Sequence, residues 1–332
     1  MFDKLTTAMR GVAMSAVLVT TAALPAAAQD VRIGAMREGS SWYVFAATLQ
    51  QMIEPILGSN STEIIARGGG IANPMVVQSG RAEIALSNVA TAVWAQEGSD
   101  VYDGMAAPDI SALVGGLNDV YIGVIAREEF LQRAGTRDLK EIAQSDIPFR
   151  LLIKPVGSSA VPAAEMIFES LGVSMDDIRA RGGDVIQLDT NQIADQLRNG
   201  GADIYIDTII QGHPTITEVG LTTRVAFLDL PPEAQEMLSQ NGMTIGEYGP
   251  WFEGQTGPTS GANLGTVLIA NNDLDEEIAY TITKTIIENA EALKASHGAW
   301  SQFDPATAMQ PERTGIPLHP GAARYYQEAG LM

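Results

Sequence analysis

Past residue 29, short apolar runs alternate with longer stretches whose apolar positions recur every three or four residues. The first kind of pattern predicts buried strands and the second predicts amphipathic helices. A strand is expected over Asp30–Ala35, a helix over Trp42–Leu57 and a second strand over Glu63–Ala66. A helix over Ile71–Gln78 and a strand over Ala82–Ser87 follow, then a helix running through Trp94 and a strand over Val120–Ala126. Strands separated by helices predict parallel sheets with crossover connections.

The same rhythm then starts again. Phe149–Ile153, Val185–Leu188 and Ala202–Ile206 read as strands, and Val161–Leu171 and Asn191–Asn199 as helices. Met243–Gly265 is rich in Gly, Thr and aromatics and reads as irregular chain. Thr266–Ala270 reads as a strand, Asp275–Ala295 as one long helix and Ala322–Ala329 as a short terminal one. Two similar units with no low-complexity linker between them predict two α/β lobes. Each would be a mostly parallel sheet flanked by helices, and strands that cross twice would join them. The expected boundaries are 29–122 plus 262–332 for one lobe and 123–261 for the other.

The first residues follow a different pattern. Lys4 and Arg10 precede an apolar run from Val12 to Leu24, followed by Pro25-Ala26-Ala27-Ala28. This is the layout of a secretory signal, cleaved after Ala28. The run is shorter than the roughly 20 residues a membrane span needs. A periplasmic location is therefore expected, away from ATP and NAD pools. The formal charge is −20. Without residues 1–28, 18 basic residues face 39 acidic ones, or −21. Nucleic acid is excluded as a partner, because its affinity comes largely from Lys and Arg on phosphates. The chain has no cysteine. Disulfides, thiolate catalysis, cysteine metal sites and a lipoprotein anchor are thereby excluded.

Three strand-to-helix turns share one composition: Gly39-Ser40-Ser41, Gly68-Gly69-Gly70 and Gly157-Ser158-Ser159. Glycine lets a ligand approach the backbone. Serine hydroxyls and free N–H groups at a helix start can seat an anion. In open α/β sheets ligands collect at the carboxyl ends of the strands, where all three turns fall. The alternative reading of each serine is a plain helix cap. Arg67, beside the glycine triplet, could hold a carboxylate in bidentate fashion. Arg37 occupies the equivalent place before the first turn, with Glu38 next to it. Tyr43 is a candidate pocket wall, with Trp42 beside it. Asn88 ends the third strand, and Thr208 follows the strand over Ala202–Ile206.

No catalytic set is legible. His213, His297 and His319 are far apart in sequence and follow no metal spacing. No HExxH, GxSxG or SxxK arrangement occurs. No cofactor, metal or catalytic residue is assigned.

Five segments in fixed order resemble a known family. They are IGAMREGSSWYVFAATLQQMI, GGGIANPMVVQSGRAEIALSNVA, KPVGSSAVPAAEMIFESLGV, GGADIYIDTIIQGHPT and PLHPGAARYYQEAGL. The chain resembles, from Val31 to Leu331, the TAXI-type solute-binding proteins of tripartite ATP-independent periplasmic (TRAP) transporters. It departs from that family's pattern at Arg37-Glu38, at Asn88 and Ala90, and at Asp207-Thr208-Ile209-Ile210, positions that would face a ligand. The resemblance implies a periplasmic-binding-protein type II fold and a receptor that is not an enzyme. Such a receptor would pass a small carboxylate-bearing metabolite, a dicarboxylate or an amino acid such as glutamate, to TRAP membrane permease subunits. The expected ligand contacts are Ser40, Ser41, Tyr43, Arg67, Gly70, Asn88, Ser158, Ser159 and Thr208. An ABC-importer or sensor-associated binding protein is the alternative, followed by an exported enzyme on the same architecture.

Overall fold

The computed structural model describes residues 30–332. The secretory signal read over residues 1–28 lies outside the described residues. Among those described, no helix is long and apolar enough to cross a membrane.

Among the described residues twelve strands form two sheets. The first holds β1 (Val31–Gly34), β2 (Thr62–Ile65), β3 (Ile84–Ser87), β4 (Ile110–Val114) and β12 (Val267–Asn271), in the order β2-β1-β3-β12-β4. The second holds β5 (Tyr121–Arg127), β6 (Arg150–Ile153), β7 (Asp184–Gln187), β8 (Ile204–Ile209), β9 (Val225–Leu228), β10 (Thr244–Tyr248) and β11 (Thr259–Asn263). Its order is β10-β11-β5-β8-β6-β7, with β9 also paired to β5. The expected two-sheet α/β class is present, but the sheets are mixed rather than mostly parallel. β1 pairs in parallel with β2 and β3, and β6 with β7 and β8. The strands next to each crossing run the other way: β12 is antiparallel to β3 and β4, and β5 to β8, β9 and β11. A strand arriving from the other sheet needs no crossover helix, so nothing forces it to run parallel.

The chain passes between sheets twice, through 115–120 and through 264–266. The two passages are bonded to each other. Leu264 N–H donates to the Val120 carbonyl at 2.8 Å, and Leu117 N–H to the Thr266 carbonyl at 3.1 Å. β3, in the middle of its sheet, and β4, at its edge, are both buried along their whole length, as a sheet covered by helices on both sides requires.

Three differences from the sequence reading have plain causes. Met243–Gly265 contains the antiparallel pair β10–β11 rather than irregular chain. Gly246 faces Gly261 in that ladder, so backbone bonds hold it and no apolar alternation marks it. The expected long helix breaks at Asn289 (φ −108°, ψ 27°) into Glu276–Glu288 and Ala290–Ser296. Several short elements, β4 and β9 among them, lack the flanking pattern that would announce them.

Candidate functional site

Each turn singled out in the sequence starts a helix at the carboxyl end of a strand. After β1, Ser40 caps the helix Ser41–Leu57, its hydroxyl accepting from Tyr43 N–H at 3.2 Å. Trp42, Phe45, Leu49 and Ile53 recur at helical spacing and bury one face. After β2, the Gly68–Gly70 turn is braced by Asn73, which is fully buried. The Asn73 amide donates to Leu86 O at 2.6 Å, and its oxygen accepts from Gly69 N–H at 3.1 Å. A Cβ on Gly68 would lie 1.5 Å from that oxygen, so only glycine fits there. After β3 and β6, Asn88 and Ser159 precede the helices Val89–Glu97 and Ala160–Ser170.

These strand ends converge on one cavity between the two sheets. Seven of the nine expected contacts line it: Ser40, Ser41, Gly70, Asn88, Ser158, Ser159 and Thr208. It leaves about 20 Å³ open to the centre of a water molecule, little more than one water needs. Tyr43 and Arg67 are not among its walls. Arg67 lies exposed on the turn after β2. Tyr43 sits one residue, about 100° of helix, away from Trp42, which faces inward and does line the cavity. Met36, Val120 and Ile210 add apolar wall.

The cation at this cavity is Lys154, which the sequence reading passed over. It is 1% exposed. Its Nζ lies 2.8 Å from Asp207 Oδ1, and Asp207 is fully buried. The same Oδ1 accepts from Thr208 N–H at 2.6 Å and from the Thr208 hydroxyl at 3.2 Å. The other oxygen, Oδ2, accepts a short bond from the Tyr205 hydroxyl. Sheet register places the pair: Leu151 lies opposite Ile204 and Leu152 opposite Tyr205, so two residues on Lys154 meets Asp207. A cation three residues before a Gly-Ser-Ser turn was the available signal.

His213 completes the wall. Its Nδ1 accepts from Ile216 N–H at 3.4 Å, which assigns the proton to Nε2. Nε2 lies 3.8 Å from Asp207 Oδ2, too far for a hydrogen bond. Burial pushes the imidazole down to about 3, and Lys154 nearby adds to the effect. The ring is therefore neutral and offers one N–H. The Ser41 hydroxyl is buried without a hydrogen-bond partner.

Contacts across the cavity tie the two sheets together. The Ser159 hydroxyl donates to Asn88 Oδ1 at 2.8 Å. Ile71 N–H donates to the Gly157 carbonyl at 3.0 Å. At the rim Arg37 pairs with Asp189, an exposed contact between the two sides. Arg37 thus pairs with Asp189, the cap of the helix Thr190–Arg198, and not with Glu38 beside it. Among the described residues no serine hydroxyl bonds a histidine, and no cluster of His, Asp and Glu suits a metal ion.

The arrangement is a two-sheet mixed α/β fold like that of periplasmic binding proteins, with a small polar cleft at the strand ends. The chain belongs to the NMT1-like family, whose profile matches residues 33–330. MatC from Rhodopseudomonas palustris, solved with bound malate, is similar to it at a TM-score of 0.55 and 14% identity. That match covers 92% of this chain and 98% of the other. The alkanesulfonate-binding protein SsuA from Xanthomonas axonopodis pv. citri, bound to MOPS, matches at a TM-score of 0.44 and 13% identity. It covers 88% of this chain and 85% of that one. At 14% identity the likeness to MatC is one of fold.

Proposed function

We propose that this protein is an extracytoplasmic solute receptor that closes on one small carboxylate-bearing molecule and releases it unaltered. One observation carries the reading. A cavity of donors is walled by both sheets and held shut by the Ser159–Asn88 and Ile71–Gly157 bonds across it. A ligand touching both walls binds the shut form better than the open one and shifts the population toward it. So small a cavity admits a solute only when the walls part. The lobes are taken as 29–122 with 262–332, and 123–261, hinged at the two passages. Seven residues of the expected site serve as contacts, joined by Lys154 and His213. MatC carries malate on the same fold, which favours an organic acid. Delivery to a TRAP permease driven by an ion gradient rests on the five TAXI-like segments.

A thermal-shift and scattering screen of organic acids tests this. A ligand at 100 times its dissociation constant adds about 2.7 kcal/mol. At about 2–4 °C per kcal/mol, the melting point rises by about 5–10 °C. The radius of gyration falls with the same ligand. If no organic acid does either, the receptor reading fails. Uptake into vesicles holding the candidate permease, driven by an imposed ion gradient without ATP, tests the delivery step.

A further inference from the structure

We infer that the cavity accepts a solute carrying one negative charge and no positive one: a small monocarboxylate, in preference to dicarboxylates and amino acids. This rests on the receptor reading above and narrows its ligand.

The inference comes from a count of charges. Among the described residues lining the cavity, the one cation is Lys154 and no carboxylate is present. Lys154 is already neutralised by Asp207 at 2.8 Å, and both side chains are withdrawn from solvent. Asp207 is fully buried behind the wall and is not among the residues lining the cavity, so it does not face a ligand ammonium. Its oxygens take Lys154, the Thr208 N–H and hydroxyl, and the Tyr205 hydroxyl. The walls and their immediate support therefore carry no net charge, and the neutral His213 adds none.

Partial charges complete the account. Helices of 17 and 11 residues begin at Ser41 and Ala160, and Ser41, Trp42 and the cap Ser159 line the cavity. The helix at Val89 is different, because its Val89 and Ala90 N–H groups both donate to the Leu264 carbonyl. Each of the first two starts carries roughly half a positive charge. The buried Ser41 hydroxyl has no partner and lines the same space. The same space is lined by the Ser158 hydroxyl, which accepts from Ala160 N–H at 3.3 Å and keeps its own O–H to donate, and by the His213 imidazole, whose N–H makes no hydrogen bond. This set compensates one carboxylate. A second carboxylate would enter a closed, neutral space without a counter-charge, and an ammonium would meet no anion and two helix starts of like sign. Either is costly when buried.

The test is calorimetric titration of the mature protein with matched solutes. Butyrate, lactate and pyruvate carry one negative charge, succinate and malate two, and alanine and 4-aminobutyrate are zwitterions. The expected result is saturable binding of a monocarboxylate, with its dicarboxylate and amino analogues weaker by at least ~100-fold. Succinate, malate or an amino acid binding as tightly as the matched monocarboxylate overturns the charge rule and leaves the receptor reading standing. No binding or compaction by any class overturns both. Asp207→Asn supplies a second reading, because it leaves Lys154 unneutralised. The succinate-to-butyrate affinity ratio should rise at least tenfold in that variant, and an unchanged ratio counts against the rule. The wild-type series decides the matter should Asp207→Asn fail to fold.

Discussion

The Ser159 hydroxyl donates to Asn88 Oδ1 across the cavity at 2.8 Å, joining the cap of one sheet's helix to the cap of the other's. Such a bond exists only when the walls are together, so it contributes to ligand affinity rather than to the fold of either side. A neutral hydrogen bond is worth about 1 kcal/mol net. Ser159→Ala is expected to weaken the ligand by about fivefold. The urea midpoint of the ligand-free protein should barely move. Titration calorimetry beside urea unfolding separates the two effects, and an unchanged dissociation constant means the bond does not belong to the bound form.

Gly69 makes a sharper version of the same argument. A Cβ built there would lie 2.4 Å from the Gly157 carbonyl oxygen, a backbone atom that cannot swing aside. Gly69→Ala therefore props the cavity open while leaving each sheet's own packing alone. Affinity should fall by at least ~30-fold, and scattering at saturating ligand should keep the extended profile. Gly257→Ala is the control, since an added Cβ at Gly257 meets nothing within 4 Å. A Gly69→Ala protein that compacts normally removes this contact from the closing movement.

The residues that were legible in sequence are those whose local chemistry repeats. Ser40, Gly70 and Ser159 belong to strand-to-helix turns, and small residues there have few other uses. Trp42 and Tyr43 were both candidates, but only the helical spacing of Trp42 with Phe45 and Leu49 says which one turns inward. Lys154 and Asp207 were not legible as a pair. They are 53 residues apart, and what joins them is the parallel register of β6 and β8, which no local pattern encodes. Arg67 shows the converse: a cation beside a glycine turn that the fold leaves in solvent. The antiparallel run of β12 and β5 escaped for a related reason, since strand direction depends on which sheet the chain has just left.

Lys154→Met would strand the Asp207 carboxylate in the interior. Removing one partner of a buried pair costs about 3–5 kcal/mol, or a fall in melting point of about 6–20 °C. Adding Asp207→Asn should restore most of that stability, because the uncompensated charge goes. Ligand binding should be lost in Lys154→Met, whose cavity gains an uncompensated anion, and return at least in part in the double variant, where the charge count is again zero. Arg67→Ala, by contrast, should leave the dissociation constant within about twofold. Calorimetry on the four proteins separates stability from binding. If Arg67→Ala abolishes binding and Lys154→Met does not, the cation has been assigned to the wrong residue.

The buried His213 sets a pH dependence with a definite sign. Burial, with Lys154 close by, lowers its imidazole to about 3 in the folded chain, against about 6.5 when unfolded. Below pH 6.5 the unfolded chain therefore takes up a proton that the folded chain refuses, and stability falls as pH falls. His297 and His319 are lowered by burial in the same direction and add to the slope. Well below pH 6.5 each such proton costs about 1.4 kcal/mol per pH unit, and for His213 the loss continues to about pH 3. Carboxylates held down by arginines, such as Glu83 by Arg32 and Asp203 by Arg150, act in the same sense but at lower pH. Urea midpoints between pH 7.5 and 5.5 thus isolate the imidazoles. His213→Gln should flatten this part of the curve relative to wild type. A slope that His213→Gln leaves unchanged would show that this ring already titrates freely in the folded protein.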